Sequence, residues 1–389
     1  MAGNLIAVRA MQAEPRVVVG AGLAGCAAAL LLARGGAPPL LLERTAQVQP
    51  RICGEFISAE AVHALAALGV DVPALGGRPT QRLRLLCGST CIEAALPFTA
   101  MGLSRQALDG ALQQLAQRRG VPLLRGQRVA LLARHDGPAG PSSGPFELHL
   151  TDGRTITTPT LLLATGKTDL APLVRPVRRA PEPLVGWQLH LQLAPAQAQA
   201  LSGFVEVLLF DGGYAGIQPV EGGRINLCLL ARRSPARSGL QALLQALRQD
   251  SAHFAERLHG ATDTGQPPQS IFRVPYGHLH EPVADDPAGL WRLGDQAAVI
   301  PSYTGDGMAI ALHSAALAAE VMLQGGSAAH YHRRLRQDIG PQLRLAHGLY
   351  RLGQGAFGRG ALMAMLRRWP SLLGFIATMT RVPTAALRL

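Results

Sequence analysis

An α/β fold, with a parallel sheet of the dinucleotide-binding kind, an antiparallel β region and a helical end, is predicted from three observations. Residues 15–43 read as an apolar strand, a glycine-rich turn, an Ala/Leu-rich helix and a second apolar strand. The hydrophobic period changes to two between about Leu184 and Arg232, and everything after Gly326 reads as helix. The 389 residues allow two domains or one composite domain, and 48% hydrophobic against 16% charged residues excludes disorder as the general state. The chain divides into a flexible tail (1–14), a first nucleotide-binding part (15–180) whose strands near 80–100 reach the substrate domain, that domain itself (181–288), a second nucleotide-binding part (289–330) and a helical region (331–389).

The first unit carries the strongest signal. RVVV leads into GAGLAG, where Gly20, Gly22 and Gly25 give GxGxxG at a strand-to-helix turn. Glycine there permits the tight turn, the approach of backbone to a diphosphate, and close helix–strand packing. Glu43 ends the second strand, where a carboxylate accepts both hydroxyls of an adenosine ribose while the helix N-terminus favours the diphosphate. RICGEFIS (51–58) then precedes a helix through AEAVHALAALGV, and RLRLLCGSTCIEAAL alternates as two strands around Gly88 and Ser89. Ser104 is an N-cap for a helix over 102–121. Strands at 128–133 and 146–150 flank the Gly/Pro/Ser loop HDGPAGPSSGP, and TLLLATGKTD is an apolar strand ending at Gly166 and Lys167.

The antiparallel region turns at DGGY and EGGR; a helix (239–259), the strand IFRVPYGHL and the strand GLWRLGD follow. A Gly/Pro-rich loop then opens a helix near Gly307. Near the end, Leu362, Met365, Leu366 and Trp369, then Leu372, Phe375, Ile376 and Met379, keep helical spacing, as an apolar stripe against the core does. Aromatic or polar candidates for a pocket wall are Trp187, His190, Phe210, Tyr214, Tyr276 and Tyr303.

Charge is unevenly placed. The net charge is +12, and from Tyr331 onward ten arginines face one acid, Asp338. No nucleic-acid reader fold accompanies them, so nucleic acid is not an expected partner. A peripheral membrane or an acidic carrier protein is the partner class this region admits, beside a small-molecule substrate. Among 37 basic residues the single lysine is Lys167, an ammonium kept where the chain otherwise uses guanidinium. Five cysteines form no paired framework, and no leader or spanning segment is read, so the expected location is cytoplasmic or peripheral to a membrane. No metal-ligand spacing is present in the sequence.

LGDQAAVIPSYTGDGMAIAL, with the GxGxxG unit, RxCGE and LSRxxLDxxL, resembles the para-hydroxybenzoate hydroxylase-like flavoproteins, the family of FAD-dependent monooxygenases and geranylgeranyl reductases. The resemblance implies a Rossmann-like FAD-binding domain of the glutathione reductase type 2 and non-covalent FAD, with NADPH or NADH as a transient co-substrate. It makes Asp295 the partner of a ribitol hydroxyl, sets Pro301, Gly305 and Gly307 beside the flavin ring, and lays Arg51 and Arg105 along the diphosphate or ribityl chain, with Arg44 near the ribose acid. It implies an oxidoreductase. The reading it favours is a monooxygenase of secondary metabolism that hydroxylates an aromatic or polyketide-like substrate through a flavin C4a-hydroperoxide. The alternatives are a reductase of prenyl or unsaturated lipid chains, or a flavoenzyme acting on a carrier-bound substrate. No catalytic residue follows from the motifs; Lys167 and Cys53 are candidates, Cys53 because RxCGE is most like the geranylgeranyl reductase branch. Two departures matter. Thr165-Gly166-Lys167 lacks the acid of the hydroxylases' Asp-Gly pair, and the tryptophan halogenases' Trp-x-Trp-x-Ile-Pro is absent around Trp187.

Overall fold

The structure, a computed structural model, describes residues 11–136, 144–175, 183–233 and 238–383. Its centre is a five-stranded parallel sheet in the order Leu290–Arg292, Leu161–Leu163, Val17–Val19, Leu40–Glu43, Leu123–Arg125. These strands are continuous apolar runs because both of their faces are covered. One face takes the helices Leu23–Arg34 and Gly307–Leu323, whose alanines let them approach each other and the sheet closely. The other face packs on a four-stranded sheet, Met11–Ala13, Thr155–Thr158, Phe146–Leu150 and Val129–Arg134, through Phe146, Leu148, Ile156 and Leu163. Met11–Ala13, grouped with the flexible tail in the sequence reading, pairs in parallel with Thr155–Thr157. Most of the HDGPAGPSSGP loop lies outside the described residues.

A second, nine-stranded sheet runs in the order Thr262–Asp263, Leu184–Gln192, Ile225–Arg232, Gly213–Pro219, Phe204–Phe210, Arg78–Cys87, Thr90–Gly102, Phe56–Ile57, with Gln269–Phe272 also on Leu184–Gln192. Every pairing is antiparallel except Phe204–Phe210 against Arg78–Cys87, which joins the strands of 184–232 to those expected near 80–100. Alternation gives the sheet two apolar faces. Leu86, Leu208 and Leu229 meet Leu243, Leu247 and Phe254, whereas Leu85, Val207 and Leu230 meet Met363, Leu366 and Leu373 of the C-terminal helices.

Several expected elements are revised. The helix of 239–259 is two, Gly239–Asp250 and Ala252–Arg257, because Ser251 is extended and caps the second through its bond from Phe254 N. IFRVPYGHL is strand only to Phe272; Arg273 takes φ +63° and ends it. An unexpected helix, Pro195–Leu201, starts at the proline that suits its first turn. The end of the chain is helical over Ala328–Gln354, Ala356–Arg368 and Ser371–Met379. Its apolar stripe is divided: Leu366 is buried, Leu362, Leu372 and Ile376 are half-buried, and Met365, Trp369, Phe375 and Met379 face outward.

Candidate functional site

Val17–Val19, Leu161–Leu163 and Leu290–Arg292 are parallel and adjacent, so their carboxyl ends share one rim where the strand order reverses. A ligand crevice forms at such a point. The first strand delivers Gly20 and Gly22, the second Lys167 and the third Asp295. A Cβ on Gly20, where φ is +107°, would stand 2.4 Å from Ala164 O, and one on Gly25 would stand 1.9 Å from Gly20 O. Only glycine fits at either place. The helix Leu23–Arg34 begins at Gly22 with no side-chain cap and no acid in its first turn, so its first amides and positive end face the crevice.

Glu43 is buried beside these amides, its Oε2 accepting from Ala21 N at 3.1 Å and its Oε1 from Thr45 N at 3.1 Å. Burial works to raise its pKa, but Arg51 and the amide bonds outweigh it and hold the carboxylate below its ordinary range. Arg51 spans Glu43 at 3.0 Å and Asp109 at 3.3 Å, and Arg105 forks onto Asp109 at 2.9 Å. These pairs fix both guanidinium groups before any ligand arrives.

Lys167 Nζ lies 3.0 Å from Asp295 Oδ2. Burial favours the neutral amine, yet Asp295 and then Cys53 outweigh it and raise the pKa, so the ammonium persists. Arg175, which no sequence signal marked, is buried and clamps both neighbours, donating to Asp295 O at 2.8 Å and to Lys167 O at 2.7 Å. Gln296 adds a bond to Gly166 O at 2.8 Å.

The Cys53-Gly54-Glu55 loop is held from the nine-stranded sheet. Asn226 donates to Cys53 O at 3.0 Å, Gln218 to Gly54 O at 2.8 Å, and His190 Nε2 bonds Glu55 Oε2 at 2.8 Å. Glu55, fully buried at φ +56°, also accepts from Arg105 N at 2.9 Å. Burial works to lower the His190 pKa, but Glu55 outweighs it and raises the value. Asn226 and Gln218 escape sequence reasoning, and His190 enters it only as a pocket wall, because each partner lies in a distant segment.

These elements enclose a cavity of about 820 Å³ lined by Gly20, Gly22, Glu43, Arg44, Arg51, Cys53, Arg105, Lys167, Asp295, Gly305 and Gly307. Of the expected site residues, Gly25 sits behind it in the helix–strand contact, Pro301 is buried before the 302–304 turn, and Arg44 is exposed at its mouth. Gly305, at φ +70°, leaves no room for a Cβ, which would stand 2.5 Å from Phe56. Asp306 beside it is buried, which pushes its carboxyl up to about 7 against the pull of Arg381. It accepts from Val382 N at 2.8 Å, tying the last described residues to this loop. Arg381, counted with the basic end, is therefore an internal residue.

A second, aliphatic cavity of about 170 Å³ lies between the nine-stranded sheet and the C-terminal helices, lined among others by Leu85, Val207, Ile217, Leu362, Leu366 and Ile376. Gly54, Phe56, Cys228, Ser302 and Gly305 line both cavities, so they meet there. Of the expected pocket walls, Tyr276 lines the first cavity and Tyr214 and Tyr303 the second. Trp187 and Phe210 pack on the opposite sheet face and line neither, and His190 holds Glu55 instead.

The donor set, the glycine cradle and the cavity fit a dinucleotide with a long linker. Residues 15–82 match the family described as Glucose inhibited division protein A. A menaquinone reductase of Mycobacterium tuberculosis is 29% identical over 79% of this chain and 76% of its own. Digeranylgeranylglycerophospholipid reductase 2 of Methanopyrus kandleri is 30% identical over 78% of this chain and 76% of its own. The fold is shared with pqsL, a probable FAD-dependent monooxygenase from Pseudomonas aeruginosa, at a TM-score of 0.67 and 18% identity over 91% of this chain and all of that one. With the rim, the two cavities and these likenesses in view, the chain belongs to the FAD-binding geranylgeranyl reductase family and is a flavin-dependent oxidoreductase.

Proposed function

We propose that the protein saturates carbon–carbon double bonds in a polyprenyl chain. The observation that carries this reading is the aliphatic cavity that meets the nucleotide cavity at Gly54, Ser302 and Gly305. A slot walled by leucine, valine and isoleucine suits a hydrocarbon chain. The molecules in the two relatives' names, menaquinone and a digeranylgeranyl lipid, both carry such chains.

Gly20, Gly22 and the helix start would hold the diphosphate of FAD, Glu43 the adenosine ribose, Asp295 the ribityl chain, and Gly305 and Gly307 the ring end, with Arg51 and Arg105 alongside. Bound flavin supplies a hydride, received from NADPH or NADH in transient contact. Saturation also needs a proton, and a chain of hydroxyls stands where the cavities meet. Ser302 Oγ bonds the hydroxyls of both Tyr214 and Tyr276, which lie 3.1 Å apart. Burial raises the pKa of both phenols, so both stand protonated. Tyr276 Oη would give its proton to the alkene carbon beside the one that takes hydride, Tyr214 would replace it through Ser302 Oγ, and solvent water would restore the Tyr214 proton once the product leaves. Cys53 lines only the nucleotide cavity, with its Sγ accepting from Glu55 N at 3.3 Å, which suits contact with the flavin ring rather than the chain.

The test is anaerobic. Protein reduced with NADPH or NADH and mixed with a polyprenyl lipid should reoxidise its flavin and yield a product heavier by H2. Reoxidation only with O2, giving a hydroxylated aromatic product, would replace this reading with oxygen transfer.

A further inference from the structure

The C-terminal helices bury one side over the aliphatic cavity and leave the other apolar as well. Seven of the twelve large hydrophobic side chains exposed among the described residues lie between positions 345 and 379, including Phe357 at 91%, Phe375 at 62% and Trp369 at 53%. Folding alone does not explain them, since a packed cap would turn such residues inward.

Arginines border this face. Arg344 and Leu345 recur as Arg351 and Leu352 one heptad on, so all four share one exposed side of Ala328–Gln354. Arg367 and Arg368 are exposed beside Trp369, with the Arg368 guanidinium 5.6 Å from the Trp369 ring centre. Among the described residues none of these four arginines pairs with a carboxylate. Elsewhere in the segment Arg334 pairs with Glu320, Arg336 with Glu281 and Arg381 with Asp306, Arg359 lies near Asp211, and Arg333 is exposed early in Ala328–Gln354.

We infer that this face docks on an anionic lipid bilayer. Large apolar side chains enter the boundary between headgroups and acyl chains, while bordering guanidinium groups meet lipid phosphates. No helix among the described residues is long and apolar enough to cross a membrane, so the attachment is peripheral. The same helices contribute Leu349, Leu362, Leu366 and Ile376 to the aliphatic cavity, which therefore lies directly behind the docking face. The docking holds whatever reaction the flavin performs.

The full-length, FAD-loaded protein should be centrifuged with vesicles of phosphatidylcholine alone and of phosphatidylcholine with phosphatidylglycerol, while its tryptophan emission is followed. Trp291 is buried and Trp187 packs half-buried on the far face of the nine-stranded sheet, so a blue shift abolished by Trp369→Phe reports on this face. Binding should require phosphatidylglycerol and should fall between about 0.1 M and about 1 M salt, as the screening length drops from about 10 Å to about 3 Å. At roughly fivefold per arginine, replacing Arg344, Arg351, Arg367 and Arg368 with Gln should weaken it by several hundredfold. The fourfold Lys variant should bind like the parent, and FAD content in both variants should be unchanged. No binding to anionic vesicles at low salt, binding untouched by the Gln variant, or capture by an acidic acyl carrier protein without vesicle binding would each overturn the inference. Because FAD reduction and chain saturation are not read, failure here leaves the proposed reaction standing.

Discussion

Replacing His190 with Leu removes the only side chain that pairs with Glu55 among the described residues. The Glu55 side chain is wholly buried and that of His190 is 4% exposed, so the pair is shielded from bulk water. One bond, from Arg105 N at 2.9 Å, would remain for a carboxylate that now has two. Breaking a buried ion pair from one side costs about 3–5 kcal/mol. Urea unfolding near pH 6 should show a loss of that size, and Glu55→Gln added to His190→Leu should recover part of it by removing the stranded charge. The pH dependence has a definite sign. Glu55 raises the folded-state pKa of His190 above its ordinary value, so the pair's contribution is complete below about pH 6.5 and is lost as pH rises through the raised value. The His190→Leu variant should therefore lose the parent's decline in stability on the alkaline side. A change under about 1 kcal/mol near pH 6, the scale of an exposed pair, together with an unaltered alkaline profile, would refute the reasoning.

Lys167→Arg should keep FAD but slow flavin reduction about tenfold or more in stopped flow, because a guanidinium cannot occupy the place of a compact ammonium 3.0 Å from Asp295 without displacing it. Asp295→Ala should lower FAD affinity roughly ten- to a hundredfold, the loss of one charge-assisted hydrogen bond, as read by titration of the apoprotein. Gly305→Ala should cost about 1–3 kcal/mol through its left-handed backbone and lower FAD content as well; Phe56→Ala in the same chain should relieve the clash and leave the backbone cost. Tyr276→Phe should slow chain saturation by about 10²-fold or more while reduction by NADPH or NADH keeps its parent rate, and equal slowing of both would remove Tyr276 from the proton path.

Much of the nucleotide rim was legible because its signals are local. Glycine spacing, a strand before it and an acid after it specify a turn, a helix and a carboxylate at the rim within one short unit. Asp295 and Gly305 were legible for the same reason, in a second short stretch. What the sequence hid is paired across distance: His190 with Glu55, Asn226 with Cys53, Arg175 with Asp295. A buried polar side chain on a strand carries no sign of which remote carbonyl or carboxylate it meets. The terminal stripe was ambiguous for another reason. Leu366 and Trp369 lie close enough in sequence to suggest one face, but a helix apolar on both sides has no single inward direction until its neighbours are known. The end of the 239–259 helix was lost to a single capping serine, which a periodicity argument passes over.

The one parallel pairing of the nine-stranded sheet, Phe204–Phe210 with Arg78–Cys87, bears on how the chain is made. During synthesis the hairpin of Arg78–Cys87 and Thr90–Gly102 emerges long before its neighbour, with one hydrogen-bonding edge open. The parallel sheet is in the same position, since Leu290–Arg292 joins Leu161–Leu163 only when most of the chain has left the ribosome. Both sheets thus carry unfinished borders through translation, at which a second nascent chain could add itself. Yield of the protein in a cell should accordingly depend on how quickly residues 184–295 follow the first half, and slow codons or a pause in that interval should send material to aggregates even when every residue of the finished fold is unchanged.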